Sequence, residues 1–277
     1  MANDIPFYQI DAFASAPFMG NQACVMPLQH GFLPDAVLQK IAAENNVAET
    51  AFIVPDGEGC WQLRWFTPAV EVPLCGHATL ASAHVLFKEI GFDGDQITFQ
   101  TRQSGALHVV QNGGTYRMDF PAPNVIEIDV AEDITSALGA RPIRAWGGPF
   151  YAAQLDSMET LAGLNPDLKA LASLGVEGPS GSWQRGNFGC FVLGGTAVDV
   201  TSRFFAPGSG IDEDPATGSW HCMLAVIAKA LRGEAAASCY QAYPGRGADI
   251  GVVVDGNRVH LDGQAVTVIR GRFTLPA

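Results

Sequence analysis

Positive charge is scarce in this sequence: 16 lysines and arginines stand against 28 aspartates and glutamates, a formal net charge of −12. So acidic a chain disfavours nucleic acid or an anionic membrane as a partner, and it says nothing about fold. Long apolar runs are missing too. No segment approaches the ~20 residues that span a bilayer, and the first residues, MANDIPFYQIDAF, lack the basic start and apolar stretch of a secretory signal. The six cysteines, Cys24, Cys60, Cys75, Cys190, Cys222 and Cys239, form no C-x-x-C pair and fit no zinc spacing. A cytoplasmic protein with reduced thiols is expected. Nucleotide-binding signatures are absent. Gly113-Gly114 and Gly194-Gly195 read as turns, and neither a P-loop nor a dinucleotide fingerprint occurs.

Apolar material is plentiful. Hydrophobic residues make up 48% of the 277 positions and charged residues only 16%, a globular composition with enough for two cores. Strand-like segments include Phe7 to Asp11, Thr50 to Val54 and Gln62 to Phe66. Helical spacing covers Ala36 to Glu44, and a long helix is expected from about His77 to Lys88. Leu107 to Phe120 reads as a hairpin across Asn112-Gly113-Gly114. Phe120-Pro121-Ala122-Pro123-Asn124 is the linker candidate. Beyond it come helices near Ile134 and Leu168, strands near Ala145, Ala152 and Cys190 to Leu193, a helix from Met223 to Leu231, and a closing hairpin about Asp255-Gly256-Asn257. Strands with single helices recur in both halves. That predicts an α+β protein of two domains, 1–120 and 121–277, with the last strand free to return to the first.

One unit occurs twice. Arg64-Trp65-Phe66-Thr67-Pro68 leads through a loop to Gly76 and a helix, and Arg203-Phe204-Phe205-Ala206-Pro207 leads to Gly218 and a helix. Gly76 follows its proline by eight positions and Gly218 by eleven, so the second loop is three residues longer, and it holds Asp212-Glu213-Asp214. A glycine at a helix start lets a ligand approach the backbone, and the unpaired N–H groups there favour an anion. Two domains facing each other would aim both helix starts into one cleft.

The residues around these starts permit more than one reading. Glu49 heads the apolar run Thr50-Ala51-Phe52-Ile53-Val54, where a poorly solvated carboxylate suits proton transfer; an ordinary loop glutamate is the alternative. His77 can donate to a substrate carboxylate or enolate, or can merely begin a helix. His84, two turns further on, reads as structural, because a zinc pair on a helix wants a spacing of three or four. Asp214 can bind an amine or pair with His77, and the acidic triplet also suggests a metal-binding D-x-D. Ser219 can cap its helix or hold a carboxylate; no G-x-S-x-G surrounds it.

The stretches "DAFASAPFMGNQACV", "AAENNVAETAFIV", "LRWFTPAVEVPLCGHATLASAHVL" and "FFAPGSGIDEDPATGSWH" together resemble the PhzF-like family of phenazine biosynthesis, which shares the diaminopimelate epimerase fold. The resemblance implies two similar domains, each a small curved sheet or barrel around a central helix, with the active site between them. It implies a cofactor-free isomerase, often a homodimer, with a small molecule as substrate. The best-known activity in the family moves a proton within a dihydro-hydroxyanthranilate. The family's catalytic glutamate falls on Glu49, its histidine on His77, its aspartate on Asp214 and its serine on Ser219. Gly76, Gly218, Ser219 and Asn21 are then expected to bind substrate, with Arg64 bracing the site.

Three departures bear on chemistry. Gln22 stands where the family often has proline, and Trp220 stands where a small residue is usual, so a narrowed pocket is expected. The epimerase relatives use one cysteine base from each domain; Cys75 matches the first place, but Thr217 occupies the second. A threonine hydroxyl is far too weak an acid to replace a thiolate at neutral pH. The expected function is therefore a cofactor-independent proton shift on a carboxylate-bearing metabolite, with Glu49, His77 and Asp214 as catalytic groups and no metal. A one-carbon epimerase and a catalytically silent binding protein remain open.

Overall fold

The computed structural model describes residues 3–175, 185–194 and 197–275. Gly195, half of one expected turn, lies outside them. The chain forms two compact units: Met1–Asp119 with Asp262–Ala277, and Phe120–Leu261.

The first unit opens with β1 (Asn3–Ala12), β2 (Asn21–Pro27) and α1 (Asp35–Asn45). It continues through β3 (Glu49–Pro55), β4 (Cys60–Phe66), the two-residue β5 (Glu71–Val72) and α2 (Gly76–His84). β6 (Gln96–Thr101), β7 (Ala106–Asn112) and β8 (Thr115–Pro121) follow. β1 and β2 are antiparallel, β2 and β3 parallel, β3 and β4 antiparallel, β4 and β6 parallel, and β6, β7 and β8 antiparallel. The hairpin about Asp255 does not close the chain. A C-terminal strand, Ala265–Leu275, comes after it and runs antiparallel to β1 along that strand's whole length.

Every residue of α2 from His77 to His84 is buried. A helix buried on all sides belongs inside a sheet rather than on its surface, and Thr79 and Ser82 satisfy their hydroxyls on the Cys75 and Ala78 carbonyls. Ala78, Ala81 and Ala83 keep it thin enough to pack on β1, β2, β3 and the C-terminal strand. The long helix expected through Lys88 is in fact two pieces. From Val85 to Ile90 the backbone widens into π geometry and stops at Gly91 in the left-handed region, where the Gly91 N–H donates to the Leu86 carbonyl. On its outer side the sheet carries α1, whose Leu38 and Ile41 pack with Met26, Phe52 and Phe66.

The second unit repeats the scheme. β9 (Ile126–Ile128), α3 (Glu132–Leu138), β10 (Arg144–Gly147) and β11 (Tyr151–Gln154) lead to α4 (Met158–Gly163) and α5 (Leu168–Ser173). Then come β12 (Phe188–Leu193), β13 (Val200–Phe205), α6 (Gly218–Arg232), β14 (Ala236–Gln241), β15 (Ala248–Asp255) and β16 (Arg258–Gly263). From β10 to β15 the pairings read antiparallel, parallel, antiparallel, parallel, antiparallel, the order found from β1 to β7. The fold class is α+β, as expected. No described helix is long and apolar enough to cross a membrane.

The duplicated motif is a packing unit. Arg64 grips Glu71 with two hydrogen bonds, Nε to Oε1 at 2.7 Å and Nη2 to Oε2 at 2.8 Å, while its guanidinium lies 5.1 Å from the Phe66 ring centre. Arg203 grips Glu213 the same way, at 2.8 Å twice, over Phe205 at 4.8 Å. Gly76 follows Glu71 by five positions and Gly218 follows Glu213 by five. The three additional residues therefore lie between Pro207 and Glu213. Glu213, the middle residue of the acidic triplet, thus has a structural partner in Arg203.

Candidate active site

In the first unit, three strand and helix ends bring four side chains together. Gly20, with φ +63°, turns the chain into β2; a side chain there would collide with the Ala12 carbonyl at 2.1 Å. That turn sets Asn21 at the head of β2. Glu49 heads the parallel β3, where it stands across from Ala23. Cys75 precedes α2 with an extended backbone and makes no side-chain cap, and Gly76 and His77 begin the helix.

His77 is the hub. Its Nε2 donates to Glu49 Oε2 at 3.0 Å. Its Nδ1 lies 3.3 Å from Asn21 Nδ2 and 3.5 Å from Cys75 Sγ. His77, Asn21 and Cys75 are buried, and the Glu49 side chain keeps 17% of its surface open. Burial of the ring opposes its charge, but the Cys75 sulfur and the Glu49 carboxylate favour it more strongly, and His77 holds its proton well above the ordinary imidazole range. Asn21 suits both states of the ring, since an amide donates to a bare Nδ1 or, turned over, accepts from Nδ1–H. Burial, reinforced by the Glu49 charge, pushes the Cys75 thiol up, against the pull of the His77 charge.

The corresponding corner of the second unit is built differently. Thr217 Oγ1 donates to Asp214 Oδ2. Gln241, fully buried at the end of β14, accepts from the Thr217 N–H at 2.9 Å through Oε1 and donates through Nε2 to the Asp214 carbonyl at 2.5 Å. This glutamine pins the Asp214–Thr217 loop, and the sequence alone did not point to it. Thr217, not Ser219, holds the position before α6; Ser219 is exposed one residue inside it, beside the buried Gly218.

Strand register extends the equivalence to Glu49. Thr50 stands opposite Phe66, and Phe188 opposite Phe205. Glu49 and Asn187 therefore occupy the same place in the two units, as do Cys75 and Thr217, and His77 and Ser219. The counterparts of the glutamate, the thiol and the imidazole are an amide and two hydroxyls.

The expectation that Trp220 narrows a pocket is corrected. Its ring is wholly buried, packed at 5.9 Å from Phe204 and 6.3 Å from Phe191. Gly189 makes the space: a methyl group there would lie 2.4 Å from the indole. The equivalent pair in the first unit is Ala78 and Ala51, so a large and a small residue have replaced two of intermediate size. His84, read as structural, lies 3.0 Å from the Tyr116 hydroxyl and 2.9 Å from Thr267 Oγ1, which ties α2 to β8 and the C-terminal strand.

Known proteins resemble this chain over nearly its whole length. The family model described as phenazine biosynthesis-like protein matches residues 10–271. An uncharacterized isomerase of Pseudomonas aeruginosa is 41% identical over 273 residues, which cover 98% of this chain and 99% of that protein. The crystal structure of a PhzF family phenazine biosynthesis protein from Enterococcus faecalis superposes with a TM-score of 0.91 at 37% identity, covering 98% of this chain and 100% of that one. A probable proline racemase from Agrobacterium radiobacter shares the fold alone, with a TM-score of 0.60 at 11% identity over 98% and 93% of the two chains.

Proposed function

The chain belongs to the phenazine biosynthesis-like family, and from that premise we propose that it is an isomerase that moves a proton within a small carboxylate-bearing metabolite by means of one base, Glu49. The P. aeruginosa relative bears the name isomerase. The observation that carries the one-base reading is the asymmetry between equivalent corners. Glu49, Cys75 and His77 exchange protons readily, whereas Asn187, Thr217 and Ser219 do not. Inverting one carbon calls for an acid and a base on opposite faces. Taking a proton from one carbon and returning it to another on the same face needs only one carboxylate.

In this reading the Glu49 carboxylate removes a C–H proton, the electron pair moves into the substrate's conjugated carboxylate system, and the protonated Glu49 delivers the same proton to a second carbon. Charged His77 stabilises the carboxylate before transfer and the anionic substrate during it. The N–H groups of Gly76 and His77 at the start of α2 hold the substrate's anionic group. Protein side chains supply every proton transfer.

The test begins with a thermal-shift screen of carboxylate-bearing metabolites; a ligand at 100 times its dissociation constant adds about 2.7 kcal/mol of stability. Each hit is then incubated with the enzyme in deuterium oxide and followed by NMR. Migration of a C–H proton is expected, with loss of activity in a folded Glu49→Gln variant. Full turnover in that variant would sink the mechanism. Inversion at a single carbon would replace it with epimerisation, and tight binding without exchange would leave a binding protein.

A further inference from the structure

Cys75 has no task in the proton shift, yet its sulfur stays beside the two groups that do. Among the described residues, Glu49, Cys75 and His77 form the one cluster of three groups able to ligate a metal, their donor atoms all within 4.8 Å of one another. We propose that Glu49, Cys75 and His77 form a binding site for a thiophilic divalent cation of the zinc type, which occupies the groups needed for turnover and so inhibits the enzyme. Cation binding is independent of the isomerase reading, and only its inhibitory effect depends on it.

Geometry carries the proposal. Zinc–ligand bonds of 2.0–2.3 Å in a tetrahedron put neighbouring donor atoms roughly 3.3–3.8 Å apart. Here His77 Nε2 is 3.0 Å from Glu49 Oε2 and 4.0 Å from Cys75 Sγ. Cys75 Sγ is nearer Nδ1, at 3.5 Å, so the ring or the thiol must turn to bring the sulfur to the Nε2 side as the first distance opens. One sulfur, one nitrogen and one carboxylate oxygen form a donor set that favours zinc or cadmium over magnesium or calcium, which prefer oxygen alone. Three protein ligands leave a fourth position for water or for a substrate oxygen.

The surroundings support the same ion. With the cation on Nε2, the ring's Nδ1 carries hydrogen and requires an acceptor, and Asn21 is in place to present its amide oxygen. Such a partner fixes the orientation of a ligating imidazole. The partly open Glu49 side chain offers the entry point, and the ion takes the place of the Cys75 thiol proton on binding.

Cadmium titration of the chelator-treated protein tests this without turnover. An ultraviolet sulfur-to-cadmium charge-transfer band saturating at one equivalent is expected, reversed by zinc. It should vanish in Cys75→Ser and persist in Cys60→Ser, the control at the one half-exposed cysteine. Asn21→Ala should weaken the affinity roughly 10–100-fold, the usual effect of losing a partner behind the ligand. X-ray absorption of the zinc-loaded wild type needs no variant and should show one sulfur with nitrogen and oxygen neighbours. A band that survives Cys75→Ser, no band at all, or a zinc shell without sulfur would overturn the site. Those outcomes leave the proton-shift reading untouched, and failure of the deuterium experiment leaves the cation site untouched.

Discussion

Nε2 of His77 lies 3.0 Å from Oε2 of Glu49, and the imidazole is buried. Burial alone would drive this ring to its neutral form; the neighbouring sulfur and carboxylate reverse the sign. Glu49→Gln keeps the hydrogen bond and removes the charge. The His77 titration midpoint, read from imidazole nitrogen chemical shifts, is expected to fall in that variant. The linked stability falls with it. A raised imidazole value stabilises the fold fully below the ordinary 6.5 of histidine and loses that contribution as pH rises through the raised value. The stability difference between wild type and Glu49→Gln should therefore be larger in mild acid than in alkali. An unchanged His77 midpoint would show that Glu49 does not set the charge of this ring.

Arg203 and Glu213 are almost entirely enclosed, with side-chain exposures of 10% and 11%. Nη1 of the arginine also donates to the Leu161 and Leu164 carbonyls, at 3.2 and 2.8 Å. Arg203→Met strands the Glu213 carboxylate and takes a donor from the Leu161, Ala162 and Leu164 carbonyls, and a cost of about 3–5 kcal/mol is expected from chemical denaturation. Adding Glu213→Leu removes the stranded charge and should recover part of the loss. A double variant no more stable than the single one would mean that the carbonyl contacts, not the ion pair, dominate. The corresponding change at Arg64 should cost less, because Glu71 is 20% exposed and Arg102 already shares it at 2.9 Å.

Trp220 and Gly189 should behave as one unit. Trp220→Ala opens a cavity in the second unit, for which about 3–5 kcal/mol is expected. Gly189→Ala forces a methyl group against the indole and should cost about 1–3 kcal/mol. Combined, the two changes recreate the paired alanines of the first unit, so the double variant should be more stable than the sum of the single losses. Ligand affinity should be indifferent to Trp220→Phe, since the ring has no exposed surface. A changed ligand preference in that variant would return the tryptophan to the site.

The repeat was legible because R-x-F-x-P is itself a packing motif. Arginine lies over the phenylalanine two residues on and grips the glutamate that precedes the helix, so the same contacts demand the same letters twice. Apolar flanks and a helix start mark Glu49 and His77 as candidates beside ordinary readings, and the family resemblance supplies their roles. What escaped was non-local or a matter of backbone shape. Asn187 matches Glu49 only through strand register, which no sequence window contains. The sequence allows the last strand a return to the first unit but does not name its partner, β1 at the other end of the chain. The π turn from Val85 to Ile90 has an ordinary helical composition, so its letters do not separate it from α2. Trp220 looked like an intruder because its compensation, Gly189, lies thirty-one positions earlier on another element.

Acid should unlock the interiors before it disturbs the surface. Burial lowers His84 and His221 to about 4, from an ordinary 6.5. His84 meets the Tyr116 and Thr267 hydroxyls, and His221 lies within 2.9 Å of the Thr217 carbonyl through Nδ1. Charged groups face His84 from both sides: Glu89 favours its protonation, while Lys88 and Arg270 oppose it. Between about pH 6.5 and 4 the unfolded chain binds protons at these rings and the folded chain does not. Stability must therefore fall as pH drops through that window, by on the order of 3 kcal/mol for each ring at the acid end. His84→Gln keeps polar atoms in place but cannot titrate. Its denaturation midpoint is expected to lie below that of wild type at pH 7 and to converge on it near pH 4. Parallel curves for the two proteins over the whole range would mean that His84 takes no part in the acid limb.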